Sequence, residues 1–233
     1  MANPVCVITG VGPGNGASLT RRFAAAGYQV AMLARSREFL REMETDVPAA
    51  RGYAVDVADA AAVSEAFARI RADLGAVDVF IHNAGSGAFS SFMDTTPEVL
   101  ERSWRVNALS LLLCGQEVAR DMLARRRGVV IVIGATASLR GGASAAGFAP
   151  AKAAQRSLAQ SMARNLGPQG IHVALVIIDG VIDLPRTRAA MPDRPDEFFL
   201  KPDAIAETVH HLTHQDPSAW TFELDVRPFG EKW

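Results

Sequence analysis

An eight-residue run, Thr9-Gly10-Val11-Gly12-Pro13-Gly14-Asn15-Gly16, follows directly on the apolar stretch Val5-Cys6-Val7-Ile8. A short apolar, β-branched run that ends in glycines and leads into an Ala/Leu/Arg/Phe stretch predicts a strand, a tight turn and a helix start. That junction is suited to hold phosphate. Glycines let the backbone approach a pyrophosphate closely, and the helix predicted over 17–26 presents unpaired N–H groups and the positive end of its dipole. Gly12-x-Gly14-x-x-Ala17 fits the general dinucleotide fingerprint, whereas Gly10-x-x-x-Gly14-x-Gly16 fits a longer-loop variant. Spacing leaves open which glycine does which job.

The remainder of the chain alternates between the two periods. Strands are predicted over 28–34, 52–57, 77–82, 128–133, 171–178 and 220–226, and helices over 38–45, 59–73, 97–126, 148–166 and 202–213. Several of the strands are apolar throughout, as strands covered on both faces must be. The predicted fold is therefore α/β: a doubly wound parallel sheet of Rossmann type, with about seven strands and helices on both faces. Neither a repeat nor a low-complexity linker divides the 233 residues, so one domain over 1–233 is expected. Small residues crowd the helix after Phe148 (Ala149, Ala151, Ala153, Ala154, Ala159), which suits either a subunit contact or a buried face within the chain.

Charge narrows the partners. Lys and Arg total 24 against 25 Asp and Glu, and the single basic cluster, Arg125-Arg126-Arg127, closes a predicted helix where cations suit the dipole. Nucleic acid is not expected. Cys6 and Cys114 sit far apart in apolar stretches, as core side chains of a reducing compartment rather than as a disulfide or a metal site. With no apolar run of about 18 residues and no leader pattern, a cytoplasmic protein is expected, without a membrane partner.

From Asn83-Ala84-Gly85 onward the chain resembles the short-chain dehydrogenase/reductase family, and the likeness covers nearly its whole length. It rests on Thr9-Gly10-x-x-x-Gly14-x-Gly16, Asp56-Val57, Asn83-Ala84-Gly85, Asn107 and Lys152, all in family order. The resemblance implies a dinucleotide-binding fold that carries catalytic residues on its own later elements. It also implies a small-molecule substrate and assembly as a homodimer or homotetramer. Cofactor contacts would come from Gly10, Gly12, Gly14, Asn15, Gly16, Arg35, Asp56, Val57, Asn83, Ala84, Gly85, Lys152 and Val181.

Arg35 directs the choice of cofactor. A carboxylate at the end of the second strand would accept a hydrogen bond from the adenosine ribose 2′-OH and repel a 2′-phosphate. No Asp or Glu occurs between Gly16 and Arg37, and Arg35, with Ser36 and Arg37 beside it, offers a planar fork for phosphate. NADP(H) is thus favoured over NAD(H). Asp56 is expected near the adenine amino group or, alternatively, as the cap of the helix beginning near Asp59. His82, a lone histidine at a strand end, is expected to be structural.

The reactive end departs from the family pattern. A Tyr belongs four residues before the Lys, one helical turn away, yet the segment reads Phe148-Ala149-Pro150-Ala151-Lys152. The partner Ser, thirteen residues before the Tyr, falls on Ala135. Phenylalanine has no proton to give the alkoxide left by hydride transfer, and losing a general acid costs about 10²–10⁴-fold in rate. Catalytic residues retained are Lys152 and Asn107, with Thr136, Ser138 and Ser144 as possible sources of a nearby hydroxyl. Where the family has Pro-Gly after the sixth strand this chain has Asp179-Gly180-Val181-Ile182-Asp183, so Asp179 or Asp183 could bring a carboxylate to the site, with the alternative, favoured for Asp183, that it only opens the irregular stretch that follows. An irregular substrate lid is expected over 184–195. The tail is expected to place Trp220, Phe222, Leu224 and Val226 on the buried face of an edge strand, with Phe229 and Trp233 closing a pocket or meeting a neighbouring subunit. Two functions compete: an oxidoreductase with a rebuilt proton donor, and a nucleotide-binding sensor or partner subunit without turnover.

Overall fold

In the computed structural model, which describes residues 3–231, the apolar runs form a parallel sheet. The strands are β1 (Val5–Thr9), β2 (Gln29–Ala34), β3 (Ala50–Ala54), β4 (Val77–His82), β5 (Gly128–Ala135), β6 (Ile171–Ile178), a two-residue β7 (Val181–Ile182) and β8 (Phe199–Leu200), and β9 (Glu223–Val226). Seven of them pair in the order β3-β2-β1-β4-β5-β6-β9, every pairing parallel, while β7 and β8 clasp each other separately.

The helices are α1 (Asn15–Ala25), α2 (Arg37–Asp46), α3 (Ala60–Asp73), α4 (Pro97–Trp104), α5 (Ser110–Arg125), α6 (Ala149–Leu166), α7 (Pro185–Ala190) and α8 (Pro202–Leu212). Alternate strand residues divide the core between the two faces. Cys6 and Ile8 of β1 pack with Leu19 and Phe23 of α1, Leu40 and Met43 of α2, and Val209 of α8. Val5 and Val7 pack on the side of Phe67 in α3, Leu111 and Val118 in α5, and Ala159 in α6. This is the doubly wound Rossmann arrangement. Its strand order reverses between β1 and β4, and the crevice at their C-terminal ends is where such sheets take ligands.

Local chemistry sets several helix starts. Ser36 caps α2 through Phe39 N–H, Asp59 caps α3 through the N–H groups of Ala61 and Ala62, and Thr96 caps α4 ahead of Pro97. Because Asp59 caps α3, the capping alternative for Asp56 fails: its Oδ1 accepts instead from Ala58 N–H, 3.0 Å away. Asp56 and Val57 also lie beyond β3, which ends at Ala54, not within it.

Three further expectations are corrected. The helix expected over 97–126 is interrupted at Arg105–Leu109 by a π-helical turn, a feature frequent at functional sites. The stretch expected to be irregular over 184–195 contains α7, and Arg188 on that helix holds Asp183 by two hydrogen bonds of 2.7 and 2.8 Å. The strand expected from Trp220 starts only at Glu223. Trp220 stacks on His172 at 4.9 Å, and Phe222 packs on the sheet face opposite Leu224 and Val226. Phe229 is exposed, and Trp233 lies outside the described residues. On α6, Ala149, Ala151 and Ala159 are buried within the chain, so these small residues serve an intramolecular face. Cys6 and Cys114 are free thiols in the cores on opposite sides of the sheet.

Candidate active site

The glycine run and the Asn83 loop meet at the crevice. Asn83 Nδ2 donates to Gly10 O at 2.9 Å, and Ala84 N–H donates to Thr9 Oγ1 at 3.2 Å. Gly10 takes a φ of +68°, and a Cβ there would lie 2.6 Å from Ala84 Cα, so only glycine lets the two loops touch. Gly14 precedes α1 with a φ of +104° and offers no side-chain cap. Gly12 O accepts from Ala17 N–H at 3.1 Å, so the N–H groups that the start of α1 can offer a ligand are those of Asn15 and Gly16. A Cβ on Gly12 would meet nothing within 4 Å, and the buried Asn15 amide has an oxygen without a partner. An open backbone and an uncapped helix start fit a dinucleotide phosphate, whereas the unpartnered Asn15 oxygen, an acceptor, suits a hydroxyl or N–H group. Arg35 stands exposed one residue past β2, with Ser36 and Arg37 next to it. Asp56 and Val57 lie after the neighbouring strand β3, the former exposed and the latter buried.

Asn107 and Lys152 converge at Gly85. A Cβ built on Gly85 would stand 3.4 Å from Asn107 Oδ1 and 3.8 Å from Lys152 Nζ. The π-turn aims Asn107 inward, where its Nδ2 donates to Ser103 O at 2.8 Å and Ser86 O at 3.1 Å, and its buried Oδ1 has no protein partner. Lys152 is 5% exposed, not the surface lysine that a helix position alone would allow. Its Nζ donates to Ile133 O at 2.9 Å and to Gln155 Oε1 at 3.0 Å. Burial pulls its pKa down to about 7, so the amine exchanges protons near neutrality.

Phe148 sits immediately before α6, half-buried, with its ring 5.9 Å from Lys152 Nζ and 5.3 Å from the ring of Phe89. The bridge between Ser90 and Ala145 brings Phe89 there. Ala135 ends β5, and its N–H donates to the buried Ser138 hydroxyl at 3.1 Å. Ser138 is thus engaged with backbone, and Ser144 is exposed. Thr136 Oγ1 donates to Asp179 Oδ1 at 2.6 Å, and Asp179 also pairs with Arg227 at 3.3 Å. One Asp179 oxygen thus faces the Thr136 hydroxyl and the other the Arg227 guanidinium. Asp183 is committed to Arg188, which holds its carboxyl below the usual range. Val181 lies in the β7 clasp, half-buried, and Leu184 reaches the glycine loop: a Cβ on Gly14 would fall 2.1 Å from Leu184 Cδ2.

Sequence reasoning overlooked Gln155 and Ser110, and named His82 only as a structural histidine. His82 is wholly buried. Its Nδ1 lies 3.0 Å from Gln155 Nε2, and its Nε2 lies 2.8 Å from Ser110 Oγ. The available signal was a polar Gln three positions after Lys152, on the same side of one helical turn. Among the described residues no cluster of three or more His, Cys, Asp or Glu could hold a metal ion, and no helix is long and apolar enough to cross a membrane.

A reversal of strand order, a glycine loop opening a helix and a buried Lys–Asn pair beside it define a dinucleotide-binding α/β protein of oxidoreductase type. Comparison with known proteins specifies it further. Residues 4–195 match the short chain dehydrogenase family, and the chain belongs to that family. It is 31% identical to L-xylulose reductase of Mus musculus over 177 residues, 76% of this chain and 71% of that protein. A short-chain dehydrogenase from Rhodopseudomonas palustris superposes with a TM-score of 0.84 at 33% identity, covering 98% of this chain and 100% of the other. A metagenomic short-chain oxidoreductase in complex with NADP gives a TM-score of 0.84 at 27% identity, with 99% of each chain covered.

Proposed function

We propose that this chain, acting as one domain in the cytoplasm, transfers hydride between NADP(H) and a small carbonyl or alcohol substrate, with Lys152 in the role that a phenol fills elsewhere in the family. The observation that carries this reading is the buried Lys152 amine, drawn to a pKa of about 7 and meeting Asn107 at Gly85. The nicotinamide, when bound, supplies or accepts the hydride. The chain's own residues do the rest. The α1 N-terminus and glycine loop hold phosphate, and Arg35 offers a guanidinium to a 2′-phosphate. The NADP complex of the metagenomic relative supports that preference. In the reductive direction the Lys152 ammonium gives a proton to the new alkoxide and becomes a neutral amine; in the oxidative direction the amine takes the proton from the alcohol.

We further propose a homodimer or homotetramer, supported by an open cleft of about 580 Å³ between α5 and α6, lined by Leu112, Leu123 and Met162. A second reading, a nucleotide-binding protein without turnover, draws on the Phe148 ring packed against Phe89 where the phenol would stand. The double change Ala135→Ser with Phe148→Tyr separates the two, read as NADPH oxidation over a panel of carbonyl compounds. Unchanged or reduced turnover supports Lys152 as donor. A rise of orders of magnitude from a silent native protein supports the second reading.

A further inference from the structure

We propose that Gln155, His82 and Ser110 are positioning residues, a buried hydrogen-bond relay that aims the Lys152 amine and ties it to the π-turn carrying Asn107. The inference rests on the reading of Lys152 given above, and its geometry is independent of that reading. Ser110 Oγ donates to Val106 O at 2.6 Å, so its only proton is spent on the backbone of the π-turn. Toward His82 the same oxygen must then accept, which puts the imidazole proton on Nε2. Nδ1 of the neutral ring is left as an acceptor and receives Gln155 Nε2–H. That orients the Gln155 amide so that Oε1 faces Lys152, where it accepts from Nζ. Each link in the series joins one donor to one acceptor, and reversing the Gln155 amide would set its NH₂ against the Lys152 ammonium and its oxygen against the unprotonated His82 Nδ1.

Lys152, Gln155, His82 and Ser110 are all buried, the last three with no exposed surface. The relay runs from α6 across the end of β4 to the junction between α4 and α5. Gln155 and Ile133 O occupy two of the three hydrogens of the ammonium, so the third is the one free to meet a ligand at Gly85. The other end of the relay grips the carbonyl of Val106, next to Asn107. A purely packing role at position 155 would be filled as well by an apolar side chain, so the double-ended amide points to orientation rather than volume. Facing Lys152 are His82 from β4, Gln155 from its own helix, Ile133 O from β5 and Asn107 from the π-turn; His82 is the titratable member of that set.

The test is nuclear magnetic resonance of the Lys152 side chain and the His82 ring nitrogens in the full-length protein, with carbonyl reduction followed as NADPH oxidation by fluorescence. In the native protein His82 is expected as the Nε2–H tautomer from pH 5 to 9. Gln155→Met removes an acceptor from the ammonium, so the Lys152 midpoint falls by about one pH unit and the tautomer is no longer fixed. Gln155→Glu keeps the acceptor and loses the donor: the Lys152 midpoint rises, and His82 takes up a second proton at a higher pH than in the native protein. Because the two variants shift Lys152 in opposite directions, poor folding of Gln155→Met leaves the proposal falsifiable through Gln155→Glu. An unchanged midpoint and tautomer in both variants overturns the relay. Failure of the underlying reading shows differently, as unchanged carbonyl reduction in Lys152→Met while the Gln155 variants of the otherwise native protein still move the Lys152 and His82 signals.

Discussion

Phe148 and Lys152 show how one substituted ring alters the work of its neighbour. With a phenol absent, the amine four residues on is the buried group whose proton affinity lies near neutrality, because desolvation opposes its charge while two acceptors hold its geometry. Lys152→Met is therefore expected to lower carbonyl reduction by about 10²–10⁴-fold. In the native protein reduction should fall as pH rises through about 7, since the ammonium is the reactive form there; a pH–rate profile checks both statements. At the opposite end of the crevice Arg35→Asp should weaken NADPH by roughly 10–100-fold and improve NADH, because a carboxylate repels the 2′-phosphate and accepts from a free 2′-OH. Paired titrations with the two cofactors measure this.

At the scale of elements, close approach of backbones places the site more than side-chain bulk does. Gly16 in the first turn of α1 has no room for a methyl group, since a Cβ would fall 2.6 Å from Val11 Cα and 3.0 Å from Gly10 O. Those are backbone atoms and cannot rotate away. Gly16→Ala should cost about 1–3 kcal/mol and push α1 off the glycine loop. Calorimetry with and without NADPH should show a lower melting temperature and a smaller rise on adding the cofactor. The π-turn acts in the same manner at Asn107, where one extra residue in the helical path turns a side chain inward that a continuous α-helix would carry to another angle.

Across the whole molecule, buried ionisable groups make stability depend on pH with opposite signs in different windows. Lys152 has a folded pKa near 7 against an ordinary 10.5, so the unfolded chain binds more protons between those values and stability rises with pH there. His82, held near 3 against an ordinary 6.5 by burial and by nearby Lys152, acts likewise between pH 3 and 6.5. Cys6 and Cys114 are pushed up from 9 by burial, which reverses the slope above that pH. Between pH 7 and 9 the native protein should gain about 2 kcal/mol of stability that Lys152→Met does not gain. Urea unfolding at the two pH values gives the comparison.

Sequence alone was enough for the doubly wound sheet, the glycine turn that opens α1 and the departure at Phe148 and Ala135, because hydrophobic period, glycine spacing and residue identity are local properties. It was not enough for the break at Arg105–Leu109, for the true end of β3 before Asp56, or for the commitment of Asp183 to Arg188. Nor could it bring Gln155 of α6, His82 of β4 and Ser110 of α5 into one buried series around Lys152. Those residues lie up to 73 positions apart, and their hydrogen bonds exist only where three separate elements meet with water excluded. Pattern along the chain dictates which faces are buried; the packing of one element against another decides which polar atoms must then find each other.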